Sequence, residues 1–112
     1  ANSWQVEVGG TAPTLPVVKI TVAAPGQDLL LSNLTNGRTL LVLGNYQAGD
    51  VVTVYTATYE ATLTRSGETL PIVDALADEF VAFGFALEPD TNQLQYTGPG
   101  ADVQLTYRPR WY

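Results

Sequence analysis

The sequence predicts an all-β fold: an antiparallel two-sheet β-sandwich of jelly-roll or galectin-like type, with little helix. Three observations predict it. Thr, Val and Tyr are abundant while Lys19 is the one lysine, a composition that suits strands. Ten Gly and seven Pro cut the 112 residues into short pieces. Between those breaks, apolar residues recur with a period of two, as half-buried strands require. Roughly eight or nine strands at such spacing need a second sheet to cover their apolar faces.

Trp4, Val6 and Val8 alternate with Gln5 and Glu7 in the first strand, which stops at the Gly9 to Pro13 break. A second strand spans Leu15 to Val22, with Pro16 at its start or on a sheet edge because proline forfeits a ladder bond. Pro25 to Asp28 turns into a third strand, Leu29 to Leu34. Asn36-Gly37 then predicts a type I′ hairpin turn, in which both central residues take positive φ. The fourth strand, Thr39 to Leu43, is apolar on both faces like the third, so pattern alone leaves their register open. After the Gln47 to Asp50 turn, Val51 to Ala57 and Ala61 to Arg65 form a hairpin through a tight return at Thr58 to Glu60. Ile72, Val73, Leu76 and Phe80 have helical spacing, but Pro71 and the short length allow a 3₁₀ turn or an irregular crossover equally. Phe80 to Leu87 is apolar at nearly every position and predicts a strand covered on both faces. Glu88 to Asn92 is a turn, Gln93 to Thr97 a short strand, and Gly98-Pro99-Gly100 the turn into the last one. There Val103, Leu105 and Tyr107 fall on one face, and Asp102, Gln104, Thr106 and Arg108 on the other.

Composition narrows the function classes. The length fits one domain, residues 1–112, able to bury roughly two-thirds of its unfolded surface. The start at Ala1 fits a processed protein and a fragment of a longer one equally. Zero Cys removes disulfides and thiolate chemistry, and zero His removes the commonest general base and metal ligand. Eleven acidic against five basic residues give a net charge of −6, which opposes phosphate backbones and anionic lipid, so nucleic acid is not expected as a partner. Membrane insertion is not expected either, since the sequence has no long apolar run. Neither catalytic residues, nor a cofactor, nor a metal site is expected.

Three stretches, in order and at this spacing, carry a resemblance. They are Asn33-Leu34-Thr35-Asn36-Gly37-Arg38-Thr39-Leu40 followed by Gly49-Asp50-Val51; Phe85 to Tyr96, with Leu87-Glu88-Pro89-Asp90-Thr91-Asn92 at its centre; and Val103 to Tyr112. Together they resemble the C-terminal domain of distal tail proteins from long, flexible-tailed bacteriophages, which carry an N-x-T-x-G-x-x-L hairpin, a Gly-Asp turn, an L-x-P-G-x-N turn and a closing T-(Y/W)-R strand. Asp90 replaces the turn glycine, and Tyr55-Thr56 stands where an Asp-Thr pair is common. The 112 residues hold no stretch that resembles the ring-forming N-terminal domain of full distal tail proteins, so the chain is expected to be the outer domain of such a protein or a related tail-tip protein that reuses it. The resemblance implies a non-enzymatic structural module of a virion tail tip or baseplate, made in the host cytoplasm. Its implied partners are other tail proteins, in a homo-oligomeric ring that mounts receptor-binding components. The alternative is a carbohydrate-binding module attaching to host-surface saccharides.

Two residue sets are candidates for contact. Arg108, Arg110, Trp111 and Tyr112 place cations and aromatic rings at the end of an acidic chain, and such residues dominate interface energetics. Trp4, Tyr46, Tyr55, Tyr59, Tyr96, Trp111 and Tyr112 are rings of the kind on which sugars stack. Tyr46 and Tyr59, next to turns, lead that set, although aromatics are also ordinary strand formers. The acidic cluster Asp74, Asp78 and Glu79 lacks the ligand cadence of a calcium loop and reads as a solvated loop. Asn33-Leu34-Thr35 has the glycosylation pattern but reads as a hairpin shoulder.

Overall fold

A computed structural model of the chain describes residues 2–77, 80 and 84–108. Nine strands are described: β1 (Asn2–Val8), β2 (Val17–Val22), β3 (Gly26–Asn33), β4 (Arg38–Tyr46), β5 (Val51–Tyr55), β6 (Glu60–Arg65), β7 (Glu68–Pro71), β8 (Asp90–Thr97) and β9 (Ala101–Thr106). They form two antiparallel sheets, one ordered β1-β8-β3-β4 and the other β7-β6-β5-β2-β9. The predicted sandwich is what the chain forms, and a 3₁₀ turn at Val73–Ala75 follows β7.

The inward-facing positions supply the core. Val18, Ile20 and Val22 of β2 alternate with less buried neighbours, as do Leu29 and Leu31 of β3, Leu40 and Val42 of β4, and Val52 and Val54 of β5. Leu94 and Tyr96 from β8 complete one cluster with Phe80, Phe85 and Leu87. Burial also settles the register that β3 and β4 left open: Leu31 pairs with Leu40 and both are fully enclosed, while Leu43 lies exposed.

Three expectations are corrected. The β3–β4 turn is not type I′: Gly37 has φ +75°, but Asn36 is not among the residues with positive φ. Asn33 pairs with Arg38, so the loop holds four residues, 34–37, closed by a bond from Gly37 N–H to Asn33 O. Four-residue loops usually contain a type I turn, and here the glycine alone takes the left-handed position. The two-residue loop with both φ positive lies instead at Ser66 (+52°) and Gly67 (+80°), between the paired Arg65 and Glu68. That turn produces β7, which the sequence reading missed. The predicted strand Phe80 to Leu87 is not one where it is described. Residues 84–86 belong to no strand, Gly84 has φ +77° and donates its N–H to Phe80 O, and Leu87 makes an isolated bridge to Thr14. Residues 81–83 lie outside the described set.

The edges differ in how they are covered. β4 is flanked by the segment after the 3₁₀ turn, through a Val42 to Leu76 bridge and a bond from Ala77 N–H to Leu41 O. On the opposite side, β1 and β9 face each other as the edges of their sheets. Tyr107 spans the gap with a bond from its hydroxyl to Glu7 O at 3.0 Å.

Candidate functional site

Two of the motif stretches singled out in the sequence meet in space at one end of the sandwich. Asn33, with no solvent exposure, donates from Nδ2 to Ala86 O and to Asn92 Oδ1, both at 3.0 Å, and accepts Thr35 N–H at Oδ1. Asn92, equally enclosed, accepts Glu88 N–H at 2.7 Å and donates to Glu88 O at 2.8 Å. Asn36 donates to Ala86 O and to Glu88 Oε2, and takes Arg38 N–H on its own oxygen. Gln93 N–H donates to Thr35 Oγ1. The β3–β4 loop is thereby stapled to the loop that leads into β8. Among the described residues, no buried side-chain nitrogen or oxygen lacks a partner. A network satisfied in this way rigidifies its segments, and its buried polar groups are already used within the fold. The burial of Asn33 also encloses the amide of the glycosylation pattern.

The Gly49-Asp50-Val51 turn is braced in a similar way. Asp50 is buried and accepts two bonds from Arg65 of β6, Nε to Oδ1 at 3.0 Å and Nη2 to Oδ2 at 2.6 Å, together with Gln47 N–H at 2.8 Å. The Arg65 hydrogen bonds hold the carboxyl below its ordinary pKa, burial opposes this, and the Gln47 N–H assists it. A carboxylate fixed in its charged form and enclosed by a guanidinium suits bracing a turn; proton transfer near neutral pH needs the opposite shift.

Residues 9–111 match the model of a protein family described as the siphovirus-type tail component, C-terminal domain. The chain belongs to this family. A search of the curated proteins found no match. As a phage tail component it is a virion protein whose partners are other tail proteins, in a family of structural components. No helix of the described residues is long and apolar enough to cross a membrane. For a tail-component domain, the staple explains why the hairpin and turn motifs occur together: each supplies the other's hydrogen-bond partners. The departure at Asp90 fits the same geometry. Asp90 has φ +72°, the left-handed conformation that glycine adopts without steric cost and aspartate tolerates better than most residues.

The sugar-contact candidates of this tail domain separate. Tyr46 is buried at 5 % exposure, and its hydroxyl donates to Leu43 O at 2.8 Å. Burial, with Asp28 and Asp50 nearby, raises its pKa. The sequence carried no signal for this, since its fourth strand ends at Leu43, whereas β4 continues to Tyr46 through a register shift opposite Asp28. Tyr59 is 38 % exposed at φ +57° in the β5–β6 loop, with its ring tilted 52° against Phe80 at 5.3 Å. Tyr55 is exposed, Trp4 is half-buried against the core, and Tyr96 is buried with its hydroxyl on Pro99 O. The structure does not bring Tyr46 and Tyr59 together as one platform.

Of the interface candidates, Arg108 is exposed and follows β9 closely, with its carbonyl held by Thr14 Oγ1 at 2.7 Å. It borders an open groove of about 550 Å³ that also takes in the exposed Leu15 and the half-buried Tyr107. Arg110, Trp111 and Tyr112 lie outside the described residues. Of the acidic cluster, Asp74 is exposed in the 3₁₀ turn, and Asp78 and Glu79 lie outside the described residues.

Proposed function

We propose that this domain is a non-enzymatic interaction module of the tail tip or baseplate, which mounts receptor-binding components within a homo-oligomeric ring. The C-terminal segment Arg108 to Tyr112 is its contact with a neighbouring tail protein. The observation that carries this reading is the internal use of the motif polar groups. Asn33, Asn36, Asn92 and Asp50 are engaged within the fold, whereas Arg108 is exposed beside an open apolar groove. An exposed arginine beside apolar surface is a usual ingredient of a protein contact.

The test is removal of Arg110 to Tyr112 in the phage. The expected product is a folded domain that fails to enter tail particles; incorporation at the normal level refutes the docking role. A second reading, contact with a host saccharide, rests on Tyr59, a bulky residue kept in a left-handed loop position with 38 % of its surface open. Glycan binding that disappears in Tyr59→Ala, with particle assembly intact, would favour it.

A further inference from the structure

We infer that the outer edge of β9 accepts an extended segment of another protein, with apolar side chains facing in and basic ones facing out. The hydrogen-bond register shows which backbone groups are open. Ala23 N–H donates to Gly100 O at 2.7 Å, and this pair comes next in register after Val22 and Ala101. Alternation along an antiparallel ladder then makes Thr21–Asp102, Lys19–Gln104 and Val17–Thr106 the hydrogen-bonded pairs. The N–H and C=O groups of Ala101, Val103 and Leu105 therefore point away from β2. Among the described residues, no strand pairs with that side of β9.

β9 also lacks the usual protections of an edge, which are inward charges, lysine, proline and bulges. Its six residues contain none of these, and its register with β2 has no shift. By contrast, β7 is four residues long, ends in Pro71 and is exposed throughout, and β4 is flanked by Leu76 and Ala77. Beside β9, between the two sheets, lies an open notch of about 260 Å³ formed by Trp4, Tyr96, Ala101 and Val103, with Asp102 also lining it. An added strand would fill the notch with an alternate side chain, the usual division of labour in strand addition. Charge selects the occupant. Asp102 on β9 and Glu7 on β1 are exposed, and the chain carries −6 overall. A second copy would bring like charge, whereas a basic, alternating segment complements the edge.

The inference deepens the assembly reading by giving the chemistry of the partner. It is tested on the isolated chain, so its failure and that of the truncation test are separate results. The probe is a hexapeptide alternating lysine and valine, with a glutamate–valine peptide as its counterpart, followed by amide NMR and hydrogen exchange. The lysine peptide is expected to slow exchange at the Ala101, Val103 and Leu105 amides by about tenfold at saturation, and the glutamate peptide to leave them unchanged. Val103→Pro, which removes an outward N–H and spares the β2 ladder, should abolish the effect. Should that variant fail to fold, the protection pattern in the unmodified chain decides alone. Unchanged exchange at the three amides, an equal response to both peptides, or protection arising from dimerisation without peptide would each overturn the proposal.

Discussion

Replacing Asn92 with leucine, close in size and unable to hydrogen bond, tests whether the staple between the β3–β4 loop and the start of β8 holds the fold together. The change leaves one N–H of the Asn33 amide and both backbone groups of Glu88 without the partners they have at 3.0, 2.7 and 2.8 Å. A buried group left unsatisfied costs about 1–3 kcal/mol. Asn33 is fully enclosed and belongs at the upper end, whereas Glu88 is half-buried and water can replace part of what it loses. The expected total is therefore about 3–5 kcal/mol, a large share of the roughly 5–15 kcal/mol that holds a domain folded. At this chain length 1 kcal/mol corresponds to about 4 °C, so Tm should fall by roughly 12–20 °C. Thermal unfolding followed by circular dichroism at neutral pH measures it. The exposed Leu34 serves as control, with Leu34→Ala expected to stay within about 0.5 kcal/mol of the unmodified chain. A fall in Tm below about 4 °C in Asn92→Leu would refute the argument that these bonds are structurally required.

Asp90→Gly should stabilise the domain by roughly 0.5–1 kcal/mol, because it relieves a left-handed aspartate and gives back part of that gain as unfolded-chain entropy; a lower denaturation midpoint would contradict this account of the turn. The Asp50–Arg65 brace makes stability depend on pH. Because the folded pKa of Asp50 lies below its ordinary value, its contribution is complete above the unfolded carboxylate pKa of about 3.9 and is lost as pH falls through the folded value. Asp50→Asn should therefore be less stable than the unmodified chain at pH 7, and the difference should shrink as pH is lowered below about 4. A gap between the two urea midpoints that stays constant from pH 7 to strongly acidic pH would show that Asp50 is not linked to folding through its charge.

What the sequence made legible was set by the range of the interactions involved. Strands with one buried face announce themselves by alternation, and β1, β2, β5 and β9 fall where the pattern puts them. β7 carries no such signal, since all four of its residues are exposed; only the Ser66-Gly67 dipeptide before it hinted at a turn. Asn36-Gly37 carried the stronger hairpin signal. There the Asn36 amide reaches Ala86 and Glu88, some fifty residues away, and a four-residue loop replaces the two-residue turn. Residues 84–86, within the run predicted as a strand from Phe80 to Leu87, show the limit of hydropathy, because packed backbone outside a ladder and a doubly covered strand are equally apolar. The staple itself could not be read locally. Asn33 and Asn92 each look like turn chemistry alone, and their bond joins positions 59 apart. Turn proximity placed Tyr46 and Tyr59 side by side as candidates, but β4 continues past Leu43 through a register shift and buries Tyr46.

The distribution of polar groups bears on how such a module binds. At the stapled end the amides of Asn33, Asn36 and Asn92 already bond within the fold, and so, beyond the other end of β4, does the Asp50 carboxylate. Along the side where β1 and β9 meet, the open groups are backbone amides and carbonyls beside half-buried apolar side chains such as Trp4 and Val103. Backbone bonds formed there replace bonds to water and contribute only about 0.5–1.5 kcal/mol each. Against them stands the entropy of ordering an extended partner. One domain on its own should therefore hold a strand weakly and with selectivity set by the acidic rim. In the ring proposed above, identical edges act together, and linked sites multiply weak individual affinities without any new contact. A domain whose polar side chains are spent on rigidity and whose edge stays open is suited to binding of that kind, in which the assembly supplies the strength.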